Sequence, residues 1–214
     1  MPNWCMNELE VEAPDSEQLQ KFIYKMASAA QDDEVLSFQS ILPMPEILED
    51  TTSPAVTLEN VLKCIQQDTG KNLSIEDFEE KYKHEYPNVH QKIKQYRLNN
   101  LAKEETGYSD WYSWQHDKWG VKWGCQNSTV DVYESNKCLY CYDTPWGSAI
   151  GWLLYLSKMY PEFKFNNSCC DPSMDFHTEY SLSGGYLIEE NNMTFREAVV
   201  LGYWGGEEMW EEEE

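Results

Sequence analysis

Six residues near the N-terminus, Glu8 to Ala13, alternate acid and hydrocarbon: Leu9, Val11 and Ala13 interleave with Glu8, Glu10 and Glu12. A repeat of two is the interval at which successive side chains leave opposite faces of a strand, so this stretch reads as half-buried β-structure. Any fold for this chain therefore needs a sheet, and something to cover one side of it. A candidate cover follows at once. Asp15 stands where a helix N-cap belongs, with Gln18 three residues on in capping-box spacing. Leu19, Phe22, Ile23 and Met26 then recur at the i, i+3, i+4, i+7 interval of an apolar helical face. The segment VLSFQSILPMP, Val35 to Pro45, reads as a second strand halted by Pro43 and Pro45. The opening is thus β-α-β.

From Glu46 to about Gly107 the strand pattern disappears and charge rises. TLENVLKCIQQDTG predicts a helix closed by Gly70, and LSIEDFEEKYKHEYP one that starts near Ser74 and Asp77. PNVHQKIKQYRLNNLAKEETG predicts a third, with Pro87 tolerated in its first turn. Next comes WYSWQHDKWGVKWG, with tryptophans at 111, 114, 119 and 123; its KWGVKW portion, with Gly120 between Trp119 and Trp123, reads as an irregular approach to a strand. STVDVYES and KCLYCYDT alternate as two strands joined by a tight ESNK turn. PWGSAIGWLLYLSKMYP carries the apolar stripe Trp146, Ile150, Leu153 and Leu154 of a helix that begins at Trp146 and ends by Pro161. FKFNNSCC is a further strand, and FHTEYSLSGGYLIEE a hairpin turning at Gly184 and Gly185. The expected class is α+β: an antiparallel sheet with two packing helices. Residues 1–45 and 108–206 form it discontinuously around a helical insertion, 46–107, and an acidic tail, 207–214, follows.

Charge narrows the partners. Sixteen Lys and Arg face 38 Asp and Glu, a formal net charge of −22. Such a field repels phosphate backbones and anionic membranes, so direct nucleic-acid and membrane binding are disfavoured and a basic protein is the expected partner. The opening MPNWCMNELE has no basic n-region and no apolar h-region, so no leader is expected, and no apolar run approaches the roughly 20 residues of a bilayer span. Reduced thiols in a cytoplasm are expected. Cys138 and Cys141 have CxxC spacing, but on a predicted strand they point to opposite faces, so no metal is assigned. GxSxG, HExxH, P-loop and GxGxxG motifs are missing, hence no cofactor and no catalytic residue is assigned. A Cys5–His116 thiol–imidazole pair is conceivable on residue type alone.

Four segments in order, MPNWCMNELEVE, ILPMP, KWGVKWG and YDTPWGSAIGWLLYLSKMYPEFKF, resemble the YubB-type ferredoxin-like family (Api-type proteins) of phages and conjugative plasmids. The likeness spans both halves of the chain outside the insertion and the tail. It implies a ferredoxin-like sheet without an iron–sulfur cluster, a mobile-element origin, residence in a host cytoplasm, and no established activity. The matching positions are Asn3, Cys5, Asn7, Trp119, Gly120, Lys122, Trp123, Asp143 and Trp146. Where relatives often read Trp-Gly-Thr-Lys-Trp, this chain has Val121, which removes a hydroxyl.

Two uses of these residues compete. Asn3, Asn7, Trp119, Lys122, Trp123, Asp143 and Trp146 could line an aromatic pocket for a small ligand or a nucleotide derivative, as binder or enzyme. Alternatively the tryptophans plug the core and Lys122 pairs with Asp143. The expected function is non-catalytic protein–protein binding. In its sharpest form it is anti-defence: inhibition of a host defence or nucleic-acid-processing protein by a DNA-mimicking acidic face. The partner-binding candidates are Glu76, Asp77, Glu79, Glu80, Glu85, Glu207, Glu208 and Trp210.

Overall fold

A computed structural model describes residues 3–204 of the 214. In chain order its elements are β1 (Trp4–Glu12), α1 (Ser16–Met26), α2 (Leu58–Thr69), α3 (Ile75–Lys81), α4 (Pro87–Thr106), α5 (Trp111–Lys118), β2 (Gln126–Glu134), β3 (Lys137–Pro145), α6 (Ile150–Met159), β4 (Lys164–Asp171), β5 (Phe176–Ser183), β6 (Tyr186–Met193) and α7 (Phe195–Val200). They gather into two compact units. One runs up to Pro43 and resumes at His116; the other is Met44–Gln115.

The first unit is built on a six-stranded sheet in the order β2-β3-β1-β4-β5-β6, and every neighbouring pair is antiparallel. The protein is α+β, as expected. β1 lies inside the sheet, and its alternation does what period two requires. Cys5, Asn7, Leu9 and Val11 are buried on one face, while Trp4, Met6, Glu8, Glu10 and Glu12 alternate with them on the other. Asp15 caps α1, accepting from the Gln18 backbone at 2.8 Å and the Gln18 side chain at 2.9 Å. Phe22 of α1 meets Tyr140 edge-on at 6.2 Å and Phe165 at 6.0 Å. From α6, Trp152 stacks on Phe38 at 4.4 Å, and Phe38 reaches Tyr142 at 6.2 Å. Both helices thus cover the face of Leu9 and Tyr140. Full burial of each such aromatic contributes about 2–3 kcal/mol. The opposite face receives α7, whose Phe195 and Val199 pack on Cys170 and Met6.

Residues 35–45 are not the expected strand. They hold a single 3-10 turn, Phe38–Ser40, followed by another at Glu46–Leu48. Both edges of β1 are already paired, to β3 and β4, so no adjacent ladder position remains for this segment. Its buried Leu36, Phe38 and Ile41 also depart from strict alternation. Instead, its carbonyls hold indoles: Trp119 Nε1 donates to Leu42 O at 3.0 Å and Trp152 Nε1 to Phe38 O at 3.2 Å.

That arrangement accounts for the Trp-Gly and Gly-Trp pairs. The Trp152 N–H donates to Trp119 O at 3.2 Å. A Cβ on Gly151 would stand 2.6 Å from Lys118 O, so the two backbones touch. Gly120, at φ +88°, makes the left-handed turn that brings them together. The Trp-rich stretch opens on a helix, α5, which the sequence reading did not assign, with Asp110 accepting from Ser113 N at 2.9 Å at its start; Trp119 to Cys125, which follows, is irregular up to β2, as expected.

The second unit is helical. Its core is Val61, Ile65, Ile75, Phe78, Val89 and Ile93 of α2, α3 and α4. Thr57 and Asn60 form a capping box, Ser74 caps α3, Pro87 sits in the first turn of α4, and Gly70 closes α2.

Candidate functional site

Because α1 and α6 take one side of β1, Glu8, Glu10 and Glu12 are left on the other. The ladder sets Glu8 opposite Cys141 and Ser168, Glu10 opposite Leu139 and Asn166, and Glu12 opposite Lys137 and Lys164. Continuing outward, Ser168 faces Glu179, which faces Asn191, and Asn166 faces Ser181, which faces Glu189. The outcome is a groove of about 510 Å³ on the open sheet face, lined by Glu8, Glu10, Glu179, Glu189, Asn191 and Tyr203 among others, with no lysine or arginine among the described residues of its lining. The nearby cations are held at Glu12, where Lys164 pairs at 3.0 Å and Lys137 at 4.0 Å. Burial pushes the Glu8 carboxyl up. Tyr203 hydrogen-bonds Glu179, and burial together with Glu10 raises the Tyr133 hydroxyl, so both phenols stay protonated and donate.

One end of this face is strapped. Trp204 Nε1 donates to His177 Nδ1 at 2.9 Å, and Tyr203 lies against the same imidazole at 4.9 Å. With Nδ1 accepting, neutral His177 carries its proton on Nε2, which faces Glu179 Oε1 at 4.0 Å. His177 is wholly buried. Burial pushes its pKa down and Glu179 only partly opposes this. The unfolded chain therefore takes up this proton first on acidification. The stabilisation is complete above about pH 6.5, the ordinary histidine value, and is lost as the pH falls below it. Between pH 7.5 and 5 the melting temperature should fall more steeply in the wild type than in His177→Gln. Parallel slopes would remove His177 from the acid response.

A second cluster stands at the beginning of β1. The rings of Trp4 and Trp123 are 6.4 Å apart and tilted by 56°, those of Trp123 and Trp146 5.5 Å apart and tilted by 58°. Lys122 Nζ lies 4.6 Å from the Trp123 ring and 5.3 Å from the Trp146 ring. The expected Lys122–Asp143 pair is replaced by this cation–π contact. Asp143 instead accepts from Asn127 Nδ2 at 2.8 Å, and among the described residues no carboxylate is ion-paired to Lys122. Trp146 does not begin α6. It precedes the helix at φ +63°, 53% exposed, with its N–H donating to Asn3 O at 2.9 Å.

The seven ligand-binding candidates therefore do not converge. Lys122, Trp123 and Trp146 come together, joined by Trp4. Asn3 donates to Ser173 Oγ at 3.4 Å. Asn7 is buried on the covered face, donating to Thr144 Oγ1 at 2.7 Å and Cys5 O at 3.0 Å. Trp119 is core, 2% exposed.

Of the partner-binding candidates, Glu76, Asp77, Glu80 and Glu85 are exposed in the second unit. Glu79 is half-buried, and Arg97 clamps it with two bonds of 2.7 and 2.8 Å that pull its pKa down. Glu207, Glu208 and Trp210, with the tail 207–214, lie outside the described residues. Cys138 is buried against the helices and Cys141 is on the other face of β3. Burial raises the Cys138 and Cys170 thiols to about 12, which disfavours thiolate chemistry. Cys5 is fully buried whereas His116 is exposed, so the pair drawn from residue type is not set up.

The groove's signal was partly present in sequence, in the Glu8–Glu10–Glu12 alternation. Glu179 and Glu189 carried no such sign, since only the β4–β5–β6 register brings them alongside.

Among the described residues no helix is long and apolar enough to cross a membrane. No family model and no curated protein matches the chain. Among solved structures it is similar to the crystal structure of protein api92 from Yersinia pseudotuberculosis (family DUF1281). The identity is 10% and the TM-score 0.43, over 89% of this chain and 98% of that one.

Proposed function

We propose that this chain is a non-catalytic binding protein that docks the open, acidic face of its sheet on a cationic surface of another protein. The observation that carries this reading is the groove in which Glu8, Glu10, Glu179 and Glu189 converge with no cation among its described lining residues. A hydrogen-bonded ladder holds these acids, with neighbouring strands about 4.8 Å apart and alternate residues about 6.6 Å apart along each strand. Little ordering entropy is then lost on docking, which favours affinity, while the net charge of −22 speeds the encounter. The spacing is coarser than the charge per ~1.7 Å of axis of duplex DNA. A full DNA imitation, aimed at a host defence or nucleic-acid-processing protein, is the sharpest form of this reading. The fold we read as ferredoxin-like, supported by the order β2-β3-β1-β4 with α1 and α6 on one face; β5, β6 and α7 are then additions. The NWCMN and KWGVKWG motifs support a place in the YubB-type family, and with it a phage or plasmid origin and a host cytoplasm.

The test is titration of octalysine into the wild type and into a quadruple variant with Glu8, Glu10, Glu179 and Glu189 changed to Gln. Each lost contact is worth roughly 0.5–1 kcal/mol, so binding should weaken at least thirtyfold. Far-UV circular dichroism should be unchanged. A loss below threefold would mean that the peptide samples the acidic surface at large, and the groove would no longer be the site.

A further inference from the structure

Trp4, Trp123 and Trp146 form successive walls, each tilted by nearly 60° to the next, and the ammonium of Lys122 occupies the space against two of them. This is unusual company for a lysine in a chain with 38 carboxylates. An ion pair was available to it in composition, yet among the described residues none forms. Trp146 adds a second peculiarity. A bulky residue at positive φ is a genuine outlier, and here the backbone N–H donates to Asn3 O while the residue is 53% exposed. A core-filling tryptophan would be neither exposed nor strained. The ladder explains why the walls stay put: Trp4 is paired with Pro145, so the first and last walls are fixed to neighbouring strands.

We propose that the three indoles are a recognition site for a methylated ammonium group, and that Lys122 is a built-in plug which the ligand displaces. Indole faces attract cations through the ring quadrupole, with tryptophan the strongest of the aromatic residues. A primary ammonium is compact and strongly hydrated, so it gives up more water to sit there than a methylated one does. The methylated cation also presents apolar surface to the rings. Lys122 is thus a weak occupant, tethered one residue before the middle wall. The site is carried by the tryptophan geometry and does not rest on the acidic groove. Its ligand could come from a methylated lysine on a protein or from a free quaternary amine such as choline.

The experiment is a titration followed by indole fluorescence and calorimetry. Its probes are tetramethylammonium chloride, choline, a trimethyllysine peptide and the same peptide unmodified. The proteins are the wild type, Lys122→Ala, Lys122→Met, Lys122→Arg, and Lys122→Ala with Trp123→Ala. The methylated probes should saturate, and removal of the plug by Ala or Met should tighten tetramethylammonium about fivefold. Lys122→Arg, which restores a cation, should bind like the wild type, and the double variant should lose binding. A preference for the trimethyllysine peptide over choline assigns the site to a protein ligand; equal affinities assign it to a free amine. No saturation by any methylated probe, or equal affinity with and without Lys122 in folded protein, overturns the proposal. Undiminished binding in the double variant overturns it too.

Discussion

Trp119→Ala is expected to lower stability by about 3–5 kcal/mol, the range for truncating a fully buried large aromatic. Three losses add up at this position. The ring leaves a cavity beside Phe38, with which it is in edge contact at 5.7 Å. Leu42 O loses the donor at 3.0 Å that satisfies it. The turn at Gly120 loses the wall against which it is set. For a chain of this size that corresponds to a fall of roughly 10 °C in the thermal midpoint, measurable by calorimetry. Trp119→Phe separates the parts, since it keeps most of the volume and removes the indole N–H; its expected cost is about 1–2 kcal/mol. If alanine costs under about 1 kcal/mol, the KWG segment is not the core element described above.

Gly151→Ala reverses a familiar sign. In a helix interior, alanine is favoured over glycine by about 1 kcal/mol. Here the added Cβ would lie 2.6 Å from Lys118 O and 3.1 Å from Lys118 C, both backbone atoms that no rotamer change can move aside. The start of α6 would have to withdraw, stretching the Trp152 N–H to Trp119 O bond. Overpacking of this kind costs about 1–3 kcal/mol, and with the hydrogen bond weakened a net loss of about 2–3 kcal/mol is expected by denaturant unfolding. Gly185→Ala is a parallel case: its Cβ would meet Lys158 Cβ at 2.9 Å, an atom whose position the backbone fixes, and its positive φ adds strain. A neutral or stabilising Gly151→Ala would contradict the close backbone approach between residues 118–120 and 149–152.

Elements whose signals are local were legible. The alternation of β1, the Asp15 cap, the Ser74 cap, Pro87 in a first turn and the Gly184–Gly185 hairpin all describe interactions closed within a few residues. Two helices were overlooked although their marks were present. Asp110 with Ser113 caps α5, and Thr194 with Glu197 makes a full capping box for α7. The absorbing feature in the first case was the run of tryptophans, which says nothing about backbone conformation. Residues 35–45 failed for a different reason. A short apolar run suits a strand or a packed turn equally, and the choice fell to whether β1 had a free edge.

The candidate site divides along the same line. Glu79 was offered as a partner contact, but Arg97, eighteen positions away, holds it. Lys122 was expected on Asp143 and rests between indoles. Both outcomes depend on which charges meet in space, and composition is silent on that.

What this sequence determined by itself is which side chains share a face: a period of two puts Glu8, Glu10 and Glu12 opposite Leu9 and Val11 whatever the neighbours are. Which other residues join them was decided by tertiary structure. Strand register is set by long-range ladders, and a one-residue slip would send Glu179 and Glu189 to the far side of the sheet. The groove exists because β1, β4, β5 and β6 align in one register, and the tryptophan walls stand together because Trp4 pairs with Pro145 across 141 residues of chain.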